Sequence, residues 1–142
     1  MRPTVEYIQE RFDEYNVLYF NGSLPPLPVK LSNARTFLGK LCYKKQRTWF
    51  LGPYRYSDFV LRINTRMDMP EELVHDTILH EMSHYFIAVN QLRDTRTHGR
   101  LFRREMARIN RAGNHHITIS YRPNEAERAQ LLINPNKPHQ NI

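Results

Sequence analysis

The stretch from Leu73 to Val89 limits what this chain can fold into more than any other. It is apolar on nearly all sides (Leu73, Val74, Ile78, Leu79, Met82, Phe86, Ile87, Val89), and Pro70-Glu71-Glu72 ahead of it reads as a helix start. Proline suits the first helical position, and acids there face the positive end of the helix dipole. The predicted helix runs to about Asn90, roughly 30 Å, and belongs in the middle of a domain. Its centre is nonetheless His80-Glu81-Met82-Ser83-His84, and buried imidazoles and carboxylates are costly unless something engages them. Residues at i and i+4 share a helix face with Cβ atoms about 5–6 Å apart, so His80 and His84 can both reach one metal ion at about 2.0–2.1 Å. Glu81, about 100° further round, can address a water at that ion.

A catalytic zinc usually takes three protein ligands and a water, so a third must come from elsewhere. His75 lies about 140° round the helix from His80 and is read as a packing or solvated residue. His98 is the better candidate, because the polar loop Gln91–Thr97 lets the chain reverse and bring the next helix back beside the first. That helix, predicted from about His98 to Ala112 and ended by Gly113, aligns His98 with Phe102, Met106 and Ile109 on its inward side. Arg100, Arg104, Arg108 and Arg111 fall on the opposite side, with Arg103 beside them. Gly99 either admits close backbone approach or is simply a small helix-start residue. Glu105 is a candidate partner or rival ligand, His115 and His116 are weaker rivals, and Asp76 either orients a ligand imidazole, caps the helix or sits at the surface.

The rest of the chain reads as a small mixed frame. Thr4 caps a helix whose apolar positions Val5, Ile8, Phe12, Tyr15, Leu18 and Tyr19 recur every three or four residues, stopped by Asn21-Gly22. Leu24-Pro25-Pro26-Leu27-Pro28 is a rigid connector. Strands are predicted at Val29–Leu31, Thr36–Tyr43, Thr48–Leu51 and Phe59–Ile63, with a last short one at Ile117–Tyr121. Residues 135–142 read as a disordered tail behind one domain spanning 1–134.

Composition narrows the class. With 142 residues, 40% hydrophobic and 25% charged, the chain suits a single folded domain rather than a disordered one. No apolar run exceeds the five residues Tyr85–Val89, so no membrane-spanning helix is expected, nor does the N-terminus resemble a signal peptide. One cysteine, Cys42, excludes a zinc site built from several thiolates and asks for no oxidising compartment. A cytoplasmic location is the default expectation. The net charge of +7, with 16 Arg against 5 Lys, favours phosphate or carboxylate partners, or else is a solvated basic surface. Lys40, Lys44, Lys45 and Arg47, interleaved with Tyr43 and Trp49, form a basic-aromatic patch that either stacks on single-stranded bases or is ordinary cross-strand packing.

The residues also resemble a family. Tyr19-Phe20-Asn21-Gly22-Ser23-Leu24-Pro25, Asp76-Thr77-Ile78-Leu79-His80-Glu81-Met82-Ser83-His84 and His98-Gly99-Arg100-Leu101-Phe102 are together similar to the segment after the first helix, the active-site helix and the H-G-x-x-F motif of SprT-like zinc metalloproteases, Spartan-like members included. The resemblance covers most of residues 4 to 112. It implies an α+β, zincin-like metalloprotease domain whose H-E-x-x-H helix packs with other helices on a small sheet. One catalytic Zn2+ would be held by His80, His84 and His98, with Glu81 as general base. It further implies a DNA link, since Spartan-like members are DNA-activated proteases that cut DNA-crosslinked proteins, and a nucleoid-associated or nuclear location if that link holds. Many members add a Cys-rich zinc ribbon, which a single cysteine cannot build. Any DNA contact therefore falls to the domain itself, with Arg100, Arg103, Arg104, Arg108 and Arg111 as candidates. The expected function is hydrolysis of peptide bonds in protein or peptide substrates, with no membrane partner. The rival expectation is a non-enzymatic zinc-containing DNA-binding or adaptor domain. An open fourth coordination position and Glu81 favour the enzyme. Tyr121 and Arg122 are the only guesses for an oxyanion-stabilising group.

Overall fold

A computed structural model describes residues 1–47 and 49–118. The elements run α1 (Val5–Phe20), β1 (Val29–Ser32), β2 (Gly39–Arg47), β3 (Tyr54–Asn64), α2 (Glu71–Val89) and α3 (Arg100–Gly113), a mixed α+β arrangement as expected. The sheet order is β1-β3-β2, with β1 parallel and β2 antiparallel to β3. α2 touches α1, α3, β2 and β3, the central position that its all-round apolar surface requires. Val74, Ile78, Leu79 and Met82 are fully buried on it. Its buried hydroxyls are satisfied within the helix, Ser83 Oγ donating to the Leu79 carbonyl at 3.0 Å and Thr77 Oγ1 to that of Leu73 at 2.7 Å.

α1 begins as read, with Thr4 Oγ1 accepting from the Tyr7 amide at 3.1 Å and Ile8, Phe12 and Tyr15 facing the core. Leu18 departs from expectation: it is 59% exposed, because it lies about 90° from the line through those three. Phe20 is buried instead, its ring 5.6 Å from that of Phe86.

The sheet corrects two boundaries. The expected strand Thr36–Tyr43 begins only at Gly39 and continues to Arg47, and Phe59–Ile63 is the inner half of an eleven-residue strand. Trp49–Leu51, expected in a strand, lies in the turn joining β2 to β3, closed by the Gly52 amide on the Trp49 carbonyl at 2.9 Å; Thr48 falls outside the described residues. The outer halves of β2 and β3 pair beyond the end of β1 as an exposed two-stranded ribbon. Neither therefore carries the alternation that a half-buried strand writes into its sequence. Ile117 and Thr118 are not in a strand. The remainder of that expected strand and the expected tail lie outside the described residues.

Gly39 opens β2 directly against α2. A Cβ there would lie 2.5 Å from Thr77 Cγ2 and 3.3 Å from Glu81 Cγ, so only glycine lets the strand approach the helix at Glu81. Buried Asn64 sets the strand's starting point, its amide donating to the Ala34 and Phe37 carbonyls at 2.8 and 2.9 Å.

Candidate metal centre

His80 and His84 stand one turn apart on α2, and His98 comes from the loop just ahead of α3, two residues before the helix rather than at its first position. The three side chains converge. His98 Nε2 is 3.2 Å from His84 Nε2 and 3.3 Å from His80 Nε2, and all three ligand atoms lie within 4.8 Å of one another. Four donors arranged tetrahedrally at about 2.0–2.1 Å from zinc are about 3.3–3.4 Å apart, so this spacing fits the ion. A single N–H shared among three imidazole nitrogens aimed at one point serves them poorly, whereas a shared cation engages all three lone pairs at once. His80 Nδ1 donates to the Thr118 carbonyl at 2.8 Å, which leaves its Nε2 as the lone-pair atom facing the others. Burial holds the imidazoles in the neutral, ligating form: His80 and His98 are pushed below the usual histidine range, and His84, with the other two rings beside it, to about 3.

Beneath the cluster lies Phe102, fully buried. Its ring stacks on His84 at 4.3 Å and meets His80 and His98 at 4.8 and 4.9 Å, so one apolar side chain supports all three imidazoles. The sequence marked Phe102 as inward-facing but carried no sign that it touches every ring. Asp94 was missed altogether. Its carboxylate accepts from the amides of Leu101 at 3.2 Å, Phe102 at 2.9 Å and Thr95 at 2.8 Å. It thereby caps the start of α3 from outside the helix. A Cβ on Gly99 would run into that same carboxylate, so the glycine beside His98 is there for close approach. The signal was an aspartate a few residues ahead of a helix lacking a capping side chain of its own.

Glu81 is 6% exposed, with Oε1 4.0 Å from His80 Nε2. Burial raises its carboxyl to about 7, partly offset by the Leu41 backbone amide. It opens, with the three histidines, onto a cavity of about 490 Å3 walled by Gly39, Lys40 and Leu41 of β2, Tyr43, Tyr56 and the loop residues Arg96 and Thr97.

The other candidates lie elsewhere. His75 sits 2.5 Å from the Tyr7 hydroxyl. Asp76 does not orient a ligand imidazole; its Oδ1 is 3.6 Å from His115 Nδ1, and His115 Nε2 is 2.9 Å from the Tyr19 hydroxyl. Glu105 is held by Arg108 at 2.6 Å rather than by the cluster, and His116 is exposed. Tyr121 and Arg122 lie outside the described residues. Of the arginines, Arg108 is also packed over the Phe20 ring and Arg103 donates to the His98 carbonyl at 3.1 Å. Arg100, Arg104 and Arg111 are exposed.

Comparison with known protein families places the chain. The model of the SprT-like family aligns with residues 8–122, from the first helix past all three histidines. Among curated proteins, none matches the chain.

Proposed function

Since the chain belongs to the SprT-like family, we propose that it is a zinc-dependent metallopeptidase that hydrolyses peptide bonds of proteins, those associated with or crosslinked to DNA among them. The observation that carries this reading is the convergence of His80, His84 and His98 with a buried carboxylate, Glu81, at one cavity. His80, His84 and His98 would hold the metal. When bound, zinc supplies Lewis acidity, lowering the pKa of water toward about 7 and polarising the scissile carbonyl. Glu81 takes the proton from the attacking water and passes it to the leaving amine; its raised pKa suits both transfers near neutral pH. β2 has β3 on one side only among the described residues, and its Gly39–Leu41 segment walls the cavity. A substrate strand laid along that open edge would be held by main-chain hydrogen bonds across Glu81. The exposed Arg100, Arg104 and Arg111, with the partly engaged Arg103 and Arg108, are the proposed phosphate contacts to DNA.

The test pairs two variants. His98→Ala should lose most bound zinc by elemental analysis, and full retention removes His98 as a ligand. Glu81→Gln should keep zinc while cleavage of an unstructured protein, with or without single-stranded DNA, falls by at least about a hundredfold. Stoichiometric zinc with no cleavage by the unmodified chain would move the adaptor reading ahead.

A further inference from the structure

The cavity does not end at the histidines. Tyr43 and Tyr56 line it, their rings meeting edge to face at 5.0 Å. The ribbon then continues outward: Lys45 pairs across the strands with Tyr56 and Arg47 with Tyr54, so these four side chains share one face. Lys45 Nζ lies 4.1 Å and Arg47 Cζ 3.8 Å from the Tyr54 ring centroid. Beyond them Trp49 and Phe50 are 57% and 78% exposed. Lys44 is paired with Asp58 at 3.3 Å, whereas among the described residues no carboxylate pairs with Lys45 or Arg47. Lys40 and Arg96 add positive charge at the cavity wall, and the one aspartate there, Asp94, is taken up by backbone amides.

We propose that this strip is an extended substrate subsite, selecting polypeptides that carry acidic side chains, followed by an aromatic or aliphatic one, on the flank of the scissile bond lying over the ribbon. The proposal rests on the peptidase reading above and adds its substrate class. From Tyr43 to Arg47 the strand covers about 13 Å, the span of four residues of extended peptide. Carboxylates a few residues from the bond would therefore meet Lys45 and Arg47, and the next apolar side chain would meet Trp49 and Phe50. Stacking on Tyr54 holds both cations in place before substrate arrives, which lowers the ordering cost of binding. The same stacking occupies the Tyr54 ring face, which disfavours a nucleobase there and favours a carboxylate. A chain of net charge +7 also draws an acidic segment toward it at long range.

The test uses the full zinc-loaded chain and quenched-fluorescence peptides of one central sequence, with Asp/Glu-Phe or Lys-Phe flanks on the amino or the carboxyl side. The acidic flank should be preferred on one side by about three- to tenfold in kcat/KM, carried by KM and shrinking as salt approaches about 0.5 M. Lys45→Glu/Arg47→Glu should reverse the preference, and Lys45→Gln/Arg47→Gln should abolish it. Lys30→Glu/Arg62→Glu, an equal charge change elsewhere on the sheet, should leave it intact. Binding of the same peptides to zinc-loaded Glu81→Gln, read by fluorescence anisotropy, separates the two ideas: acid-selective binding without cleavage by the unmodified chain rejects the peptidase and keeps the subsite. Equal treatment of all flanks, a preference for the basic flank, or a preference that survives charge reversal overturns it. So does single-stranded oligonucleotide binding that depends on Lys45 and Arg47 while no peptide flank is favoured.

Discussion

Phe102 and Glu81 show how much of the site depends on side chains that ligate nothing. Phe102 packs against all three imidazoles, so trimming it leaves the nitrogens in place but removes the surface that fixes their angles. Phe102→Ala should weaken zinc binding by about 10- to 100-fold in chelator competition; unchanged affinity in a folded variant would reduce Phe102 to ordinary core. Glu81 pulls the other way on stability. Its carboxyl is raised to about 7 by burial from an unfolded value near 4.3, so the fold disfavours the ionised form and that cost is fully present above the folded pKa. Glu81→Gln should therefore stabilise the metal-free protein at pH 8 by about 1–3 kcal/mol, the gain disappearing as pH falls toward about 4. A thermal midpoint no higher than that of the unmodified chain at pH 8 would contradict this. The H-E-x-x-H pair was legible because helical spacing is a local property. The Thr118 carbonyl on His80 was not, since 38 residues separate them.

At the scale of elements, the third histidine depends on how α3 begins. Asp94 closes the loop by accepting from the first amides of α3, and Gly99 leaves room for that carboxylate. Asp94→Ala should cost about 0.5–2 kcal/mol in fold stability and weaken zinc binding. Asp94→Asn, which keeps an acceptor oxygen, should recover most of both, and Gly99→Ala should resemble Asp94→Ala. Calorimetric melting beside chelator competition checks this, and a variant that loses stability with undiminished zinc affinity would limit Asp94 to capping. The helices were readable because the recurrence of apolar residues every three or four positions is a local property, reinforced in α1 by the Thr4 cap. The β2–β3 ribbon was read wrongly at Trp49–Leu51 because its register comes from cross-strand partners, and an aromatic-rich turn resembles a strand when no partner is in view.

Across the whole molecule, positive charge lies both on the outer face of α3 and along the ribbon. If α3 meets DNA, Arg100→Ala/Arg104→Ala/Arg111→Ala should flatten the log–log salt dependence of duplex binding by about 0.9 per lost contact; an unchanged slope would return the stripe to a solvated surface. The sequence by itself determined an α+β fold built around one buried helix, the pairing of His80 with His84, and His98 as the inward-facing partner. These follow from spacings within a few turns and from the cost of burying polar groups without partners. Tertiary structure alone decided that Asp76 serves His115, that Phe102 of α3 packs under His80 and His84 of α2, and that Gly39 brings the edge of β2 to Glu81. Each of these is a meeting of groups from elements far apart in sequence, and local periodicity cannot say which of several inward-facing groups will touch.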